Sequence, residues 1–151
     1  MNIDIDDLSG PEIANFLDEH IVQMRAITPL ESKHALDLEG LREPGVTLWS
    51  VTDGPSVVGC GALKALNHSH AEIKSMRTAP SHLHQGVASA LLQRMMAEGR
   101  QMGYGRLSLE TGSGELFLPA RRLYAKHGFE FCGPFADYVE DPNSVFMTRE
   151  L

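Results

Sequence analysis

The chain has 151 residues, enough for one domain with a sizeable core and too few for two. Thirteen Lys and Arg against twenty Asp and Glu leave a formal charge of −7, which argues against nucleic acid or an anionic membrane as partner and suits a cationic amine. Cys60 and Cys132 form no CxxC pair, and there is no basic, apolar leader and no run of eighteen apolar residues, so a reduced, cytoplasmic setting is expected.

Ile3 and Ile5 alternate with polar residues over 2–6, a first strand. Ser9 with Glu12 three residues later has the spacing of a capping box, and Pro11 sits early in the helix it opens. The apolar stripe of that helix is Ile13, Phe16, Leu17, His20, Ile21 and Met24. Between Ile27 and Pro44 the pattern weakens, and Leu30, Ala35, Leu38 and Leu41 indicate a short helix over 31–41. Segments 46–51 and 56–66 are strands joined by Thr52-Asp53-Gly54-Pro55, a turn signal that makes them a hairpin. Gly59 and Gly61 share one face of the second strand and leave an open patch there, fit for a ligand or for a neighbouring helix. Four histidines, His68, His70, His82 and His84, fall close together, but no Glu-x-x-His or cysteine spacing accompanies them, and no metal is expected.

The chain is organised around 71–102. Alternation favours a strand up to Thr78, which Pro80 stops. From Gly86 the period lengthens: Ala88, Leu91, Leu92, Met95, Gly99 and Met102 make one face of a helix, and Gly103 supplies a residue able to take positive φ at its end. The free N–H groups at the start of such a helix attract anions, and no acidic residue lies between Ala79 and Gln93 to occupy them. An ordinary strand-to-helix connection has the same local pattern. Beyond it, 106–111 is a strand ended by Gly112-Ser113-Gly114, Leu118-Pro119 opens a helix closed by Gly128, and 129–132 and 144–148 are the last strands, around the acidic loop 137–143.

The glycine turn resembles the acetyl-CoA site of the GNAT superfamily of N-acetyltransferases, written Arg/Gln-x-x-Gly-x-Gly/Ala. Gly86 and Ala88 match its last two fixed positions, while Leu83 stands where Arg or Gln is usual. Leu123-Tyr124-Ala125-Lys126-His127-Gly128-Phe129 resembles the family's Leu-Tyr-x-x-x-Gly-Phe at about the expected separation. Ser-His-Leu before the turn, Leu-Glu-Thr-Gly-Ser at 109–113, and Phe-Ala-Asp-Tyr followed by Glu-Asp-Pro-Asn-Ser-Val-Phe-Met-Thr are similar to the YsnE-type branch. The resemblance implies one α/β domain: a mixed, mostly antiparallel sheet flanked by helices in the order β, α, α, β, β, β, α, β, α, β, β.

It also implies an acetyl-CoA-dependent transfer to a primary amine of a small molecule. Alternatives are a protein or peptide N-acetyltransferase and an acyl-CoA-binding sensor without turnover. A homodimer is compatible with this reading. Main-chain groups of Met76, Arg77 and Thr78 would hold the pantetheine arm, and amides around His84, Gln85, Gly86, Val87, Ala88 and Ser89 the pyrophosphate. Tyr124 would be the general acid, although a tyrosine on an apolar helical face equally fits a core residue. Glu72, fourteen residues before Gly86, holds the offset at which the histone acetyltransferase branch places its general base. By alternation it would share a face with Lys74, Met76 and Thr78, and a solvated Glu72–Lys74 pair is the competing reading.

Overall fold

The strands alternate because one face of each must be covered, and both faces of this sheet carry helices. The computed structural model describes residues 1–27 and 38–151. In chain order the elements are β1 (Asn2–Asp6), α1 (Pro11–Ile27), α2 (Leu38–Leu41), β2 (Val46–Asp53), β3 (Ser56–Ala65), β4 (His70–Thr78), α3 (Val87–Gln101), β5 (Arg106–Gly112), α4 (Leu118–Lys126), β6 (Glu130–Cys132) and β7 (Ser144–Glu150). Short 3₁₀ turns at Pro80–His82 and Glu115–Phe117 precede α3 and α4. Of the helix expected over 31–41, residues 31–37 lie outside the described residues, and the remainder is α2.

Seven strands form one sheet in the order β1-β2-β3-β4-β5-β7-β6. The β4–β5 pair is parallel and the others are antiparallel, the mixed sheet expected. On one face Leu91, Leu92 and Met95 of α3 and Tyr124 of α4 close over Trp49, Leu63, Ile73, Leu107, Leu109 and Met147. The indole N–H of Trp49, buried there, donates to Glu98 Oε2 at 2.8 Å, so the ring is buried without leaving its polar atom unpaired. On the other face Ile13 and Leu17 of α1 and Leu41 of α2 cover Leu48, Cys60 and Ala62.

The start of α1 departs from the capping box. Ser9 turns its hydroxyl to Asp7 Oδ1 at 2.6 Å, and the first helical bond runs from Ala14 N–H to the Gly10 carbonyl. The same Asp7 oxygen accepts the Ser9 N–H at 3.0 Å, the donor that the Glu12 side chain would take in a capping box.

Gly59 and Gly61 serve helix packing. A Cβ at Gly61 would collide with Met76 Sδ and lie 2.8 Å from Met95 Sδ of α3, and one at Gly59 would lie 3.1 Å from Val87. Gly61→Ala is therefore expected to lower unfolding free energy by about 1–3 kcal/mol, the cost of overpacking. Urea titration checks this, and unchanged stability would mean that the thioethers yield freely.

Candidate active site

A parallel pair gives its ligand-binding place where the strands separate, because the main chain there has lost its ladder partner. β4 continues to Thr78 and β5 to Gly112, yet their pairing runs only from His70↔Arg106 to Ile73↔Leu109. Residues 74–78 of β4 therefore have β3 on one side and no β5 ladder on the other.

β4 is also irregular at that point. Ser75 has φ of 58°, and the β3–β4 register jumps between Cys60↔Arg77 and Ala62↔Lys74, the mark of a bulge. The thiol of Cys60, which burial keeps protonated by pushing its pKa up to about 12, donates to the Ser75 carbonyl at 3.1 Å. A left-handed serine costs on the order of 1 kcal/mol and persists only where its surroundings enforce it.

The bulge corrects the expected alternation. Directly opposed residues of an antiparallel pair point to the same face, so Lys74 lies with Ala62 and Arg77 with Cys60, both on the α1–α2 side. Met76 instead packs on the α3 side, against Gly61 and Met95. Glu72 and Lys74 thus share their face with Arg77 and not with Met76, because the extra residue shifts the period by one.

After β4, the chain turns through Pro80–His82 to Gly86. His82 Nε2 meets Asp53 Oδ2 of the β2–β3 hairpin at 2.9 Å, and its other ring nitrogen meets Ser81 Oγ at 2.7 Å, which anchors the turn. His84 and Gly86 have φ of 62° and 81°, conformations that bring successive N–H groups to one side. Gly86 is the N-cap of α3, no side chain caps the helix, and a Cβ there would meet nothing within 4 Å. The first-turn N–H groups of α3 therefore have no side-chain cap, at the positive end of a 15-residue helix. The hydroxyl of Ser89 is engaged with His127 Nε2 at 2.9 Å, while its main-chain N–H belongs to that first turn.

Tyr124 lies on the α3–α4 side. It is 5% exposed, and its ring meets Phe129 edge-on with centroids 5.7 Å apart. Burial raises its pKa far above the usual tyrosine range, so the phenol is neutral.

Glu72 is on the opposite face and is not solvated, since it is only 3% exposed. Lys74 Nζ lies 3.3 Å from Glu72 Oε2 and donates to the Tyr138 hydroxyl at 3.0 Å, and that hydroxyl donates to the same carboxylate oxygen. Tyr138 packs edge-on against Phe135, with Phe146 beside both rings. Its pKa is raised by burial first and then by the Glu72 charge, which keeps it a hydrogen-bond donor. The 137–143 loop thus brings to Glu72 a partner that sequence reasoning missed. The signal was two aromatic residues, Phe135 and Tyr138, at the head of an otherwise polar segment.

The two expected catalytic residues sit on opposite faces of the sheet, and β4 stands between them with its free edge. The pyrophosphate candidates His84 to Ser89 fall together at the start of α3, one 3₁₀ turn beyond the strand that carries Met76, Arg77 and Thr78.

Comparison with known proteins bears on this geometry. The profile of the Acetyltransferase (GNAT) family matches residues 13–129. The chain is 55% identical, over the whole of both chains, to the Bacillus subtilis (strain 168) protein named "Uncharacterized N-acetyltransferase YsnE". It is 47% identical to the Escherichia coli (strain K12) protein named "Uncharacterized N-acetyltransferase YedL", over 99% of this chain and 94% of that one. Among solved structures, a GNAT family acetyltransferase from Elizabethkingia anophelis with acetyl-CoA bound aligns with a TM-score of 0.67 at 18% identity, over 99% of this chain and 97% of that one, a likeness of fold. With a parallel pair that splits beside an uncapped helix start, and with such relatives along its full length, this chain belongs to the GNAT family of acetyltransferases, in the branch that includes YsnE.

Proposed function

We propose that the protein transfers an acetyl group from acetyl-CoA to a primary amine of a small molecule. The observation that carries this reading is the separation of β4 from β5 beyond Ile73, directly beside the uncapped, acid-free start of α3. The free edge of β4 at Met76, Arg77 and Thr78 suits an amide-bearing arm laid along it as an added strand. The amides from His84 to Ser89 suit a pyrophosphate, which needs main-chain donors and room more than particular side chains. Leu83 in place of Arg or Gln is then a modest loss.

Glu72, on the α1–α2 face, accepts a proton from the amine directly or through one water. The neutral nitrogen attacks the thioester carbonyl, a C–N bond forms, the C–S bond breaks, and the nitrogen gives its second proton to water. Tyr124, on the far face, gives its phenolic proton to the leaving thiolate. Placing acid and base on opposite sides of the split suits this division, because the amine approaches on one side and the thiol leaves on the other. Lys74 and Tyr138 hold the Glu72 carboxylate in place.

A screen of small amines and of peptides with acetyl-CoA, read as free thiol, tests this reading. Amine-dependent thiol release is expected. Turnover with peptides alone would favour the protein-acetylating alternative, and acetyl-CoA binding without turnover a sensor. Tyr124→Phe keeps the ring, so kcat should fall about a hundredfold or more with acetyl-CoA affinity little changed. A turnover rate equal to wild type would leave Tyr124 a core residue.

A further inference from the structure

Among the described residues, two buried side-chain polar atoms have no hydrogen-bond partner, Ser75 Oγ and Arg77 Nε. Both lie on the stretch of β4 that has lost its β5 ladder. Arg77 is the more consequential, because an unmatched donor on a cation is costlier than one on a neutral hydroxyl. Its guanidinium carbon stands 5.3 Å from the centroid of the Phe16 ring, and its NH1 donates to Gln23 Oε1, both on α1. It forms none of the ion pairs among the described residues.

Among the described residues, the side chains that touch its guanidinium supply no anion. Phe16 and Gln23 are uncharged, and His20 is held neutral chiefly by burial and secondarily by the Arg77 charge itself. Asp6 near Cys60 turns a carboxylate oxygen to the Leu8 N–H at 2.8 Å. On this face of β4, Glu72 and Lys74 pair with one another, while Arg77 forms no ion pair with a described residue, in a chain whose formal charge is −7. A planar fork with a free, buried Nε, packed on an aromatic ring on the acceptor side of the split, fits a carboxylate in two-point contact.

We propose that Arg77 binds a carboxylate of the acceptor, so that the amine acetylated belongs to the amino-acid class. This rests on the small-molecule reading above and deepens it. Glu72 and Arg77 are five positions apart on one strand, at most about 16 Å between Cα atoms. The spacing between amine and carboxylate is therefore a variable to be read by experiment.

The test uses matched acceptors: α- and ω-amino acids of increasing length, each beside the amine that lacks the carboxylate. Thiol release is followed with wild type, Arg77→Gln and Arg77→Lys. For at least one pair, wild type should favour the carboxylated member by about tenfold or more in kcat/KM, the size of one charge-assisted contact. Arg77→Gln should remove that preference by raising KM for the acid, and Arg77→Lys should keep part of it. Equal wild-type turnover of both members in every pair overturns the inference, and that comparison needs no variant to fold. So does Arg77→Gln slowing both members in the same proportion, the mark of a structural role. Bound acetyl-CoA with no amine of either set turned over overturns the small-molecule reading and this inference with it.

Discussion

Gly86→Asp is expected to weaken acetyl-CoA binding by about a hundredfold or more while the protein stays folded. The backbone of Gly86 is left-handed, with φ of 81°, a conformation Asp and Asn tolerate better than most residues, and an added Cβ meets nothing within 4 Å. What changes is the charge. A carboxylate about 5 Å from one phosphate charge costs about 3 kcal/mol at an effective dielectric of 20, roughly a hundredfold in affinity. The same carboxylate also captures the first-turn N–H groups as a cap. Gly86→Asn is the control, since it has the same shape and no charge, and it should lose much less. Titration calorimetry on both variants decides the matter, and equal affinity for wild type and Asp would remove the phosphate site from this turn.

The second large effect is expected at Glu72. Glu72→Gln keeps the shape and the contact with Tyr138 but cannot take a proton, so kcat/KM should fall by about a hundredfold to ten-thousandfold. The acidic limb of its pH profile should shift or vanish. The substitution also leaves the Lys74 ammonium buried without its counter-charge, a loss of order 3 kcal/mol or more in stability. Stability and activity must therefore be read separately. The double variant Glu72→Gln with Lys74→Met removes both charges and should regain much of the stability while remaining slow. A single variant with a near wild-type rate and an unaltered profile would assign proton removal to water or another group.

Legibility in the sequence followed the range of the interactions. The course of α3 was readable because its apolar period, Gly86 before it and Gly103 after it are all local, and Gly103 does take φ of 97°. The hairpin was readable from Asp53-Gly54-Pro55 for the same reason. The bulge at Ser75 was not, because on paper Lys74, Met76 and Thr78 continue an unbroken alternation. Only the pairing of β4 with Cys60 and Ala62 of β3 reveals the inserted residue. The environment of Glu72 was hidden too. Its Lys74 neighbour suggested a surface pair, whereas Tyr138, which encloses it, comes from 66 residues away and is brought there by tertiary packing. The open patch at Gly59 and Gly61 could be resolved only once α3 was seen to fill it.

The central claim is that acetyl-CoA lies in the split between β4 and β5, with its pyrophosphate on the first turn of α3. A crystal structure of the protein with CoA tests this most directly. The account predicts pantetheine amides paired with the main chain of Met76 to Thr78 and phosphate oxygens within hydrogen-bond reach of the amides from Gln85 to Ser89. Glu72 and Tyr124 should stand on opposite sides of the sulfur. Well-ordered CoA bound elsewhere, with the free edge of β4 and the start of α3 untouched, would contradict it.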